Sequence, residues 1–175
     1  MAIIKDFSYV LSAIIILSLF SFTNANAQHK SRNSVYLELA SQRPVYSINY
    51  DRIFRQGNTT DYSFNAGISI AKNAVSFPMG IHFIAGASGH HLQYGVTFIP
   101  YIDYNLRLVG SNKDQTDKYI YINPGIGYRY QALKTGLFFK AMVGPSVFLD
   151  PPSTDFWDMD PKLYGYGSVA LGITF

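Results

Sequence analysis

Apolar and polar side chains alternate with a period of two along most of the chain from residue 34 onward. Residues 62–71 show the pattern most clearly, because apolar residues occupy every second position and small or polar residues fill the others. Successive side chains of a β-strand point to opposite sides, so the pattern predicts a strand with two different faces. No helical spacing persists over the same region, and the chain is predicted to be all β.

Seven further segments repeat this alternation, so eight strands are predicted. They are residues 35–40, 45–54, 62–71, 77–86, 92–101, 119–131, 137–146 and 163–175. The two longest connections, residues 103–117 and 150–162, follow the fifth and seventh strands and are polar. In an up-and-down meander both lie at the same end, and this asymmetry is typical of outer-membrane barrels, which have short periplasmic turns and longer outer loops.

The second face of the strands separates a membrane barrel from a soluble one. It consists of Gly, Ser, Asn, Thr and Ala with some Tyr and few charges, which is too small and too uncharged for a surface in water. Such residues do fit the packed interior of a narrow barrel. We therefore predict a closed 8-stranded antiparallel up-and-down transmembrane β-barrel, with Ile68, Phe98 and Leu171 on the lipid side. A soluble lipocalin-like ligand carrier, with its apolar face inside, is an alternative.

Aromatic residues are predicted to collect on the lipid face at the lower ends of the strands, where they would form a girdle at the membrane interface. These residues are Tyr50, Phe54, Tyr62, Phe64, Tyr94, Tyr128, Tyr130 and Phe175.

The N-terminal segment has the features of a secretory signal peptide. Lys5 precedes an apolar run over residues 10–22, which is followed by Ala25-Asn26-Ala27. A positive charge, a short apolar stretch and an A-x-A site form this signature, and the stretch is shorter than the ~20 residues of a spanning helix. We expect residues 1–27 to be the signal peptide and residues 28–175 to be one barrel domain in the outer membrane of a Gram-negative bacterium. The chain has no Cys, which excludes disulfides, thiol catalysis and a lipoprotein anchor.

The C-terminal strand ends in Phe175, with Val169, Leu171 and Ile173 at the alternate positions before it. This ending resembles the signal read by the barrel assembly machinery, which is the expected partner together with outer-membrane lipid. Residues 47–52 and 127–131 also resemble stretches of small, porin-like outer-membrane β-barrel proteins of Bacteroidota-type bacteria. The resemblance implies location and fold and carries no activity.

Four ionisable residues are predicted to point inward: Glu38, Asp51, Arg129 and Lys140. Charges inside a narrow barrel need partners, so we predict a buried network that pairs the two carboxylates with the two cations. A polar plug that fixes strand register is the favoured role, and an ion pathway is the alternative. His82 is a possible fifth member.

An outer-membrane lipid-modifying enzyme of the lipid A deacylase type would need His, Ser and a carboxylate near the membrane. No Ser stands two residues after His82, and His90 and His91 fall in a predicted short periplasmic turn with the character of a solvated turn. We predict no enzyme, no catalytic residue and no cofactor.

The loop over residues 150–160 carries four aspartates around Trp157. Trp157, Asp155 and Asp158 are predicted to touch a surface partner, a sugar or a lipid headgroup, because exposed loops commonly carry binding residues. No metal site is predicted, because the Gly and the terminal Glu of an EF-hand loop are missing.

The basic residues behind the net charge of +3 are scattered along the chain, which gives no support to a nucleic-acid surface. The predicted function is an integral outer-membrane barrel with a structural or surface-interaction role and at most a narrow pore.

Overall fold

The computed structural model describes residues 31–87, 89–104, 116–150 and 161–175. These residues form strands and short connections. None of the described segments is a helix of the length and apolarity that crossing a membrane requires. The predicted signal peptide, residues 1–27, lies outside the described residues.

Nine strand segments lie in the described part of the chain. They are β1 (Asn33–Ala40), β2 (Tyr46–Arg55), β3 (Thr60–Ala71), β4 (Ala74–Ser76), β5 (Met79–Ala87), β6 (His90–Tyr104), β7 (Thr116–Gln131), β8 (Gly136–Leu149) and β9 (Lys162–Thr174).

The strands close into a barrel with eight positions. Strands that are adjacent in the sheet pair antiparallel. The barrel closes where β1 pairs with β9, from Ser34 opposite Thr174 to Ala40 opposite Ser168. The segments β4 and β5 share one position, because both lie between β3 and β6. The prediction of a closed eight-stranded antiparallel barrel is confirmed. We call the end that holds the start of β1 and the end of β9 the lower end, and the opposite end the upper end.

The fourth predicted strand differs from the observed one. It was expected as one segment over residues 77–86, but it begins at Ala74 and is interrupted at Phe77 and Pro78. Proline has no N–H to give to a neighbouring strand, which accounts for a break beside it. The chain turns at residues 72–73, so most of the connection expected between the predicted strands 62–71 and 77–86 is strand.

The placement of His90 and His91 in a turn was wrong, because both residues begin β6. His91 points inward and is buried, whereas His90 lies on the outer wall. Alternation along β6 places neighbouring residues on opposite sides of the wall, which explains the difference.

The two faces of the barrel have opposite polarity. Large apolar side chains lie outside, as Leu171 does with 60% of its surface exposed, and charged or polar side chains lie inside, as Asp51 does at 1%. Ile68 and Phe98 are also exposed on the outer wall, as predicted. The core of the barrel is therefore its polar lumen.

Candidate functional site

Arg129 is the centre of the lower lumen. It lies on β7, is fully buried, and donates a hydrogen bond from Nη2 to Asp51 Oδ1 on β2 at 2.8 Å. The same guanidinium donates to Gln131 Oε1 at 3.0 and 2.6 Å and to Gln93 Oε1 at 3.3 Å. Ser63 on β3 donates to the second oxygen of Asp51 at 3.2 Å. The pair ties β2 to β7 across the interior of the barrel.

Lys140 and Glu38 form a second ion pair inside the barrel. Lys140 Nζ on β8 lies 3.0 Å from Glu38 Oε2 on β1. The other carboxylate oxygen accepts hydrogen bonds from Ser168 at 2.6 Å and from Tyr166 at 3.2 Å, both on β9. Because buried charges destabilise a fold unless partners satisfy them, these contacts account for the presence of the pair in a narrow lumen. The structure brings together the four charged residues that the sequence placed inside.

Two stacked aromatic rings join the two ion pairs. Tyr36 on β1 and Phe138 on β8 stack with their centroids 4.7 Å apart. The Arg129 guanidinium lies 4.8 Å from the Phe138 centroid, and the Lys140 ammonium lies 4.6 Å from the Tyr36 centroid. Both contacts are within cation–π range, so the cations and rings form one continuous stack through the lumen.

A glycine of β9 makes room for this stack. Gly172 is the register partner of both Tyr36 and Phe138, so the strand between the two rings has no side chain at that level. A Cβ on Gly172 would lie 2.6 Å from Tyr36 Cα and Cβ, which is too close. Glycine at this position therefore lets β1 and β8 present their rings to each other.

Hydrogen bonds hold Ser31, which precedes β1, at the lower end of the lumen. Gln131 Nε2 donates to the Ser31 carbonyl at 2.8 Å and to Thr174 Oγ1 at 3.0 Å. Ser31 N donates to the Leu133 carbonyl at 3.2 Å. These bonds draw the segment before β1 toward the β7–β8 turn.

Near the upper end, the inward side chains include an apolar and aromatic cluster. Ala74, Ile99, Tyr101 and Tyr121 form a buried cluster, and Tyr119 and Phe148 pack against it. The rings of Tyr101 and Tyr121 lie 6.1 Å apart in an edge-to-face arrangement. The lumen is thus filled by charged groups below and aromatic groups above.

His82 also lies inside the barrel. Its Nε2 is 2.8 Å from Asn65 Oδ1, and its register partner on β3 is Ser63. The sequence shows no Ser two residues after His82 on its own strand, and this Ser is its neighbour across the sheet. Ser63 donates to Asp51 and not to His82, so the three groups do not form the acid–base–nucleophile relay of a hydrolase. The geometry fits a hydrogen-bonded lining.

Aromatic side chains form a band near the lower end of the outer wall. Ring contacts run from Tyr50 and Phe64 to Phe54, Tyr62, Phe83 and Tyr94, with centroid separations between 5.1 and 6.4 Å. Tyr128 continues the band at 6.2 Å from Phe139, and His90 Nδ1 lies 2.6 Å from the Tyr128 hydroxyl. With Tyr130 at 5.1 Å from His90, seven of the predicted girdle residues are in these ring contacts, and Phe175 also lies exposed at the lower end.

A cleft of about 680 Å³ lies at the upper rim, between the β1–β2 and β3–β4 turns and the top of β6. Its lining includes Arg43, Lys72, Ser76, Tyr101 and Asp103. Arg43 Nη1 lies 3.3 Å from Asp103 Oδ2, and the Arg43 guanidinium lies 5.8 Å from the Tyr101 centroid. The cleft combines a cation, a carboxylate, hydroxyls and an aromatic face, which could hold a small polar group.

Other predicted site residues are placed only in part. Val169, Leu171, Ile173 and Phe175 lie on the outer side of β9 and at its end, and all four are exposed. Trp157, Asp155 and Asp158 lie outside the described residues. Within the described ranges, no three His, Cys, Asp or Glu side chains come together in a way that could hold a metal ion.

Sequence reasoning missed several members of the lumen network, namely Tyr36, Gln93, Gln131, Phe138, Tyr166 and Ser168. Tyr36, Gln131 and Phe138 lie two residues from a predicted charge on the same strand, whereas Gln93, Tyr166 and Ser168 lie on strands without one. Alternation places these residues on the inward face but does not assign them to the network.

The chain matches no protein-family model and none of the curated proteins. The resemblance to small outer-membrane β-barrel proteins therefore stays a prediction.

Proposed function

We propose that the protein is an integral barrel of the outer membrane of a Gram-negative bacterium, with a filled lumen and a structural or surface-interaction role. The observation that carries the proposal is the inverted polarity of the barrel, which has apolar side chains outside and ion pairs inside.

The apolar outer surface surrounds the whole barrel. An exposed apolar side chain lies on each of the eight strand positions, as Leu37, Ile48, Ile68, Ile81, Phe98, Ile126, Val143 and Leu171. The largest apolar patch of a soluble monomer is about 300–600 Å², whereas this surface is a continuous belt. A hydrocarbon layer accommodates such a belt, because a closed barrel satisfies its backbone hydrogen bonds internally.

Charge placement on the outer wall is consistent with a bilayer. The described strands carry exposed charged residues on the outer wall near their ends, namely Arg52, Arg55 and Lys118. Charged residues are least unfavourable near the interfaces of a membrane barrel. The aromatic band at the lower end agrees with an interfacial girdle.

The lumen argues against the soluble carrier alternative. A lipocalin-like barrel holds its ligand in a cavity, and apolar side chains line such ligand sites. Here the corresponding space holds the Arg129–Asp51 and Lys140–Glu38 pairs and the rings between them. The same filling favours a structural plug over an ion pathway.

Surface interaction is the second part of the proposal. Both long connections, residues 105–115 and 150–161, join strands at the upper end, which we assign to the cell exterior. The rim cleft with Arg43, Tyr101 and Asp103 lies at the same end. A partner outside the cell would meet these parts of the chain first.

Fractionation and gel migration test the membrane location. We expect the protein in the outer-membrane fraction, with extraction only by detergent, and faster migration of the unheated sample than of the boiled one. Release into the soluble periplasmic or culture fraction without detergent would contradict the proposal and would favour a soluble carrier.

A further inference from the structure

Three exposed arginines lie at the lower end of the barrel, and two of them, Arg52 and Arg55, are on its outer side. Arg52 on β2 is the register partner of Asn33 on β1 and of Phe64 on β3. Arg55, three residues further along β2, is the register partner of Tyr62. The carbonyl of Arg32 accepts a hydrogen bond from Ile53 N at 2.8 Å, which holds Arg32 against the same part of β2. We call Arg32, Arg52 and Arg55 the arginine patch.

Protein groups leave most of the charge of this patch uncompensated. Arg32 donates to the Gln56 side-chain oxygen at 2.8 Å, and the Arg55 guanidinium lies 5.6 Å from the Tyr62 centroid. Arg52 is exposed and has no side-chain partner among the described residues. The carboxylates of the lower end, Asp51 and Asp61, are both buried on the lumen side of their strands. Arg52 and Arg55 therefore face outward, and no exposed Asp or Glu side chain lies beside them in the described part of this end.

The arginine patch lies among the rings of the aromatic band. Phe64 is the cross-strand neighbour of Arg52, and its ring lies 6.4 Å from both Tyr50 and Phe54. Aromatic belts mark the depth of lipid headgroups, and long basic side chains near that depth extend toward the polar layer. Guanidinium groups bind phosphate oxygens in a bidentate manner, so arginine suits a phosphodiester.

We propose that the arginine patch binds the phosphodiester headgroup of an anionic phospholipid, such as phosphatidylglycerol, in the periplasmic leaflet. The inference rests on the proposed membrane location and adds a lipid preference to it. The outward position of Arg52 and Arg55 and the apolar wall above them favour a lipid over a soluble phosphate compound, because the acyl chains would lie along Phe64 and Ile48. A basic residue near an anionic surface contributes a factor of about five in binding.

Native mass spectrometry of the folded chain tests this preference. The barrel is refolded with equal amounts of phosphatidylglycerol and phosphatidylcholine of the same acyl chains, and the retained lipids are counted. We expect the wild type to retain phosphatidylglycerol preferentially and the double variant R52Q/R55Q to reduce that preference about 25-fold. The matched control K72Q/K162Q removes two exposed lysines at the upper end and should keep the wild-type preference.

The outcomes separate this inference from the proposed function. Heat-modifiable migration of each sample reports whether the barrel has inserted. If the wild type inserts and its preference for phosphatidylglycerol equals that of R52Q/R55Q, the lipid assignment alone is overturned. The same follows if K72Q/K162Q loses as much of the preference as R52Q/R55Q does. A wild type that does not insert overturns both proposals. If the double variant does not fold, R52Q replaces it, with an expected loss of about fivefold, because Arg52 has no side-chain partner among the described residues.

Discussion

Breaking the Arg129–Asp51 pair should show how strongly the lumen network couples the strands. Both side chains are buried, at 0% and 1% exposure, and their charged atoms lie 2.8 Å apart. The variant R129M leaves the Asp51 carboxylate with the Ser63 hydroxyl as its remaining hydrogen-bond partner. Removing one partner of a buried ion pair typically destabilises a protein by about 3–5 kcal/mol, and we expect R129M to fall in this range.

The double-mutant cycle isolates the pair from the other contacts of Arg129. D51N keeps the size of the side chain and removes its charge. Losses that R129M causes at Gln131 and Phe138 occur with or without Asp51, so they cancel in the cycle. The double variant should therefore be more stable than the sum of the single effects predicts, by about 1–3 kcal/mol.

Urea unfolding in lipid vesicles, followed by fluorescence and by the shift in gel migration, gives the four free energies of unfolding. The control combines R129M with K72Q at the upper end, where the effects should add to within about 0.5 kcal/mol. Additivity of R129M and D51N to within the same limit would refute the assignment of a coupled pair.

Three further predictions concern the fit of the lumen, the outer wall and transport. G172A should destabilise the barrel by about 1–3 kcal/mol in urea unfolding, because the new Cβ would clash with Tyr36. A Cβ at Gly165 on the same strand would have no atom within 4 Å, so the control G165A should change stability by less than about 1 kcal/mol. L171R should destabilise the vesicle-embedded barrel by about 2–4 kcal/mol and L163R, near the upper end of β9, by about 0–1 kcal/mol, and equal effects would argue against a bilayer around β9. Planar-bilayer recordings of the wild type should show no stable conductance steps, because ion pairs and rings fill the lumen; regular steps would favour the ion-pathway alternative.

The period-two pattern predicted the number of strands and the polarity of both faces. The inward Asn65 and the outward Ile68 differ clearly in polarity. A shift of the strand register by one residue would have placed apolar side chains against the charges in the lumen. Strand ends were harder to predict, because the short strand that begins at Ala74 depends on hydrogen bonds with β3 and β6 that no local pattern contains.

The candidate site was predictable as a set of charges but not as an arrangement. Glu38 and Lys140 are 102 positions apart in the chain, and their pairing depends on the register of β1, β9 and β8. The Tyr36–Phe138 stack could not be foreseen, because it requires Gly172 to lie at the same level on the strand between them. These relations are set by barrel closure, which alternation alone does not define.

Spin labels on the outer wall test the central claim most directly, because the chain has no native Cys and single cysteines can be labelled one at a time. Labels at Ile68, Phe98 and Leu171 in the reconstituted protein should be accessible to oxygen and shielded from a water-soluble nickel complex, while a label at Lys72 should meet the nickel complex. Nickel accessibility at the three wall positions equal to that at Lys72 would place the wall in water and contradict the account.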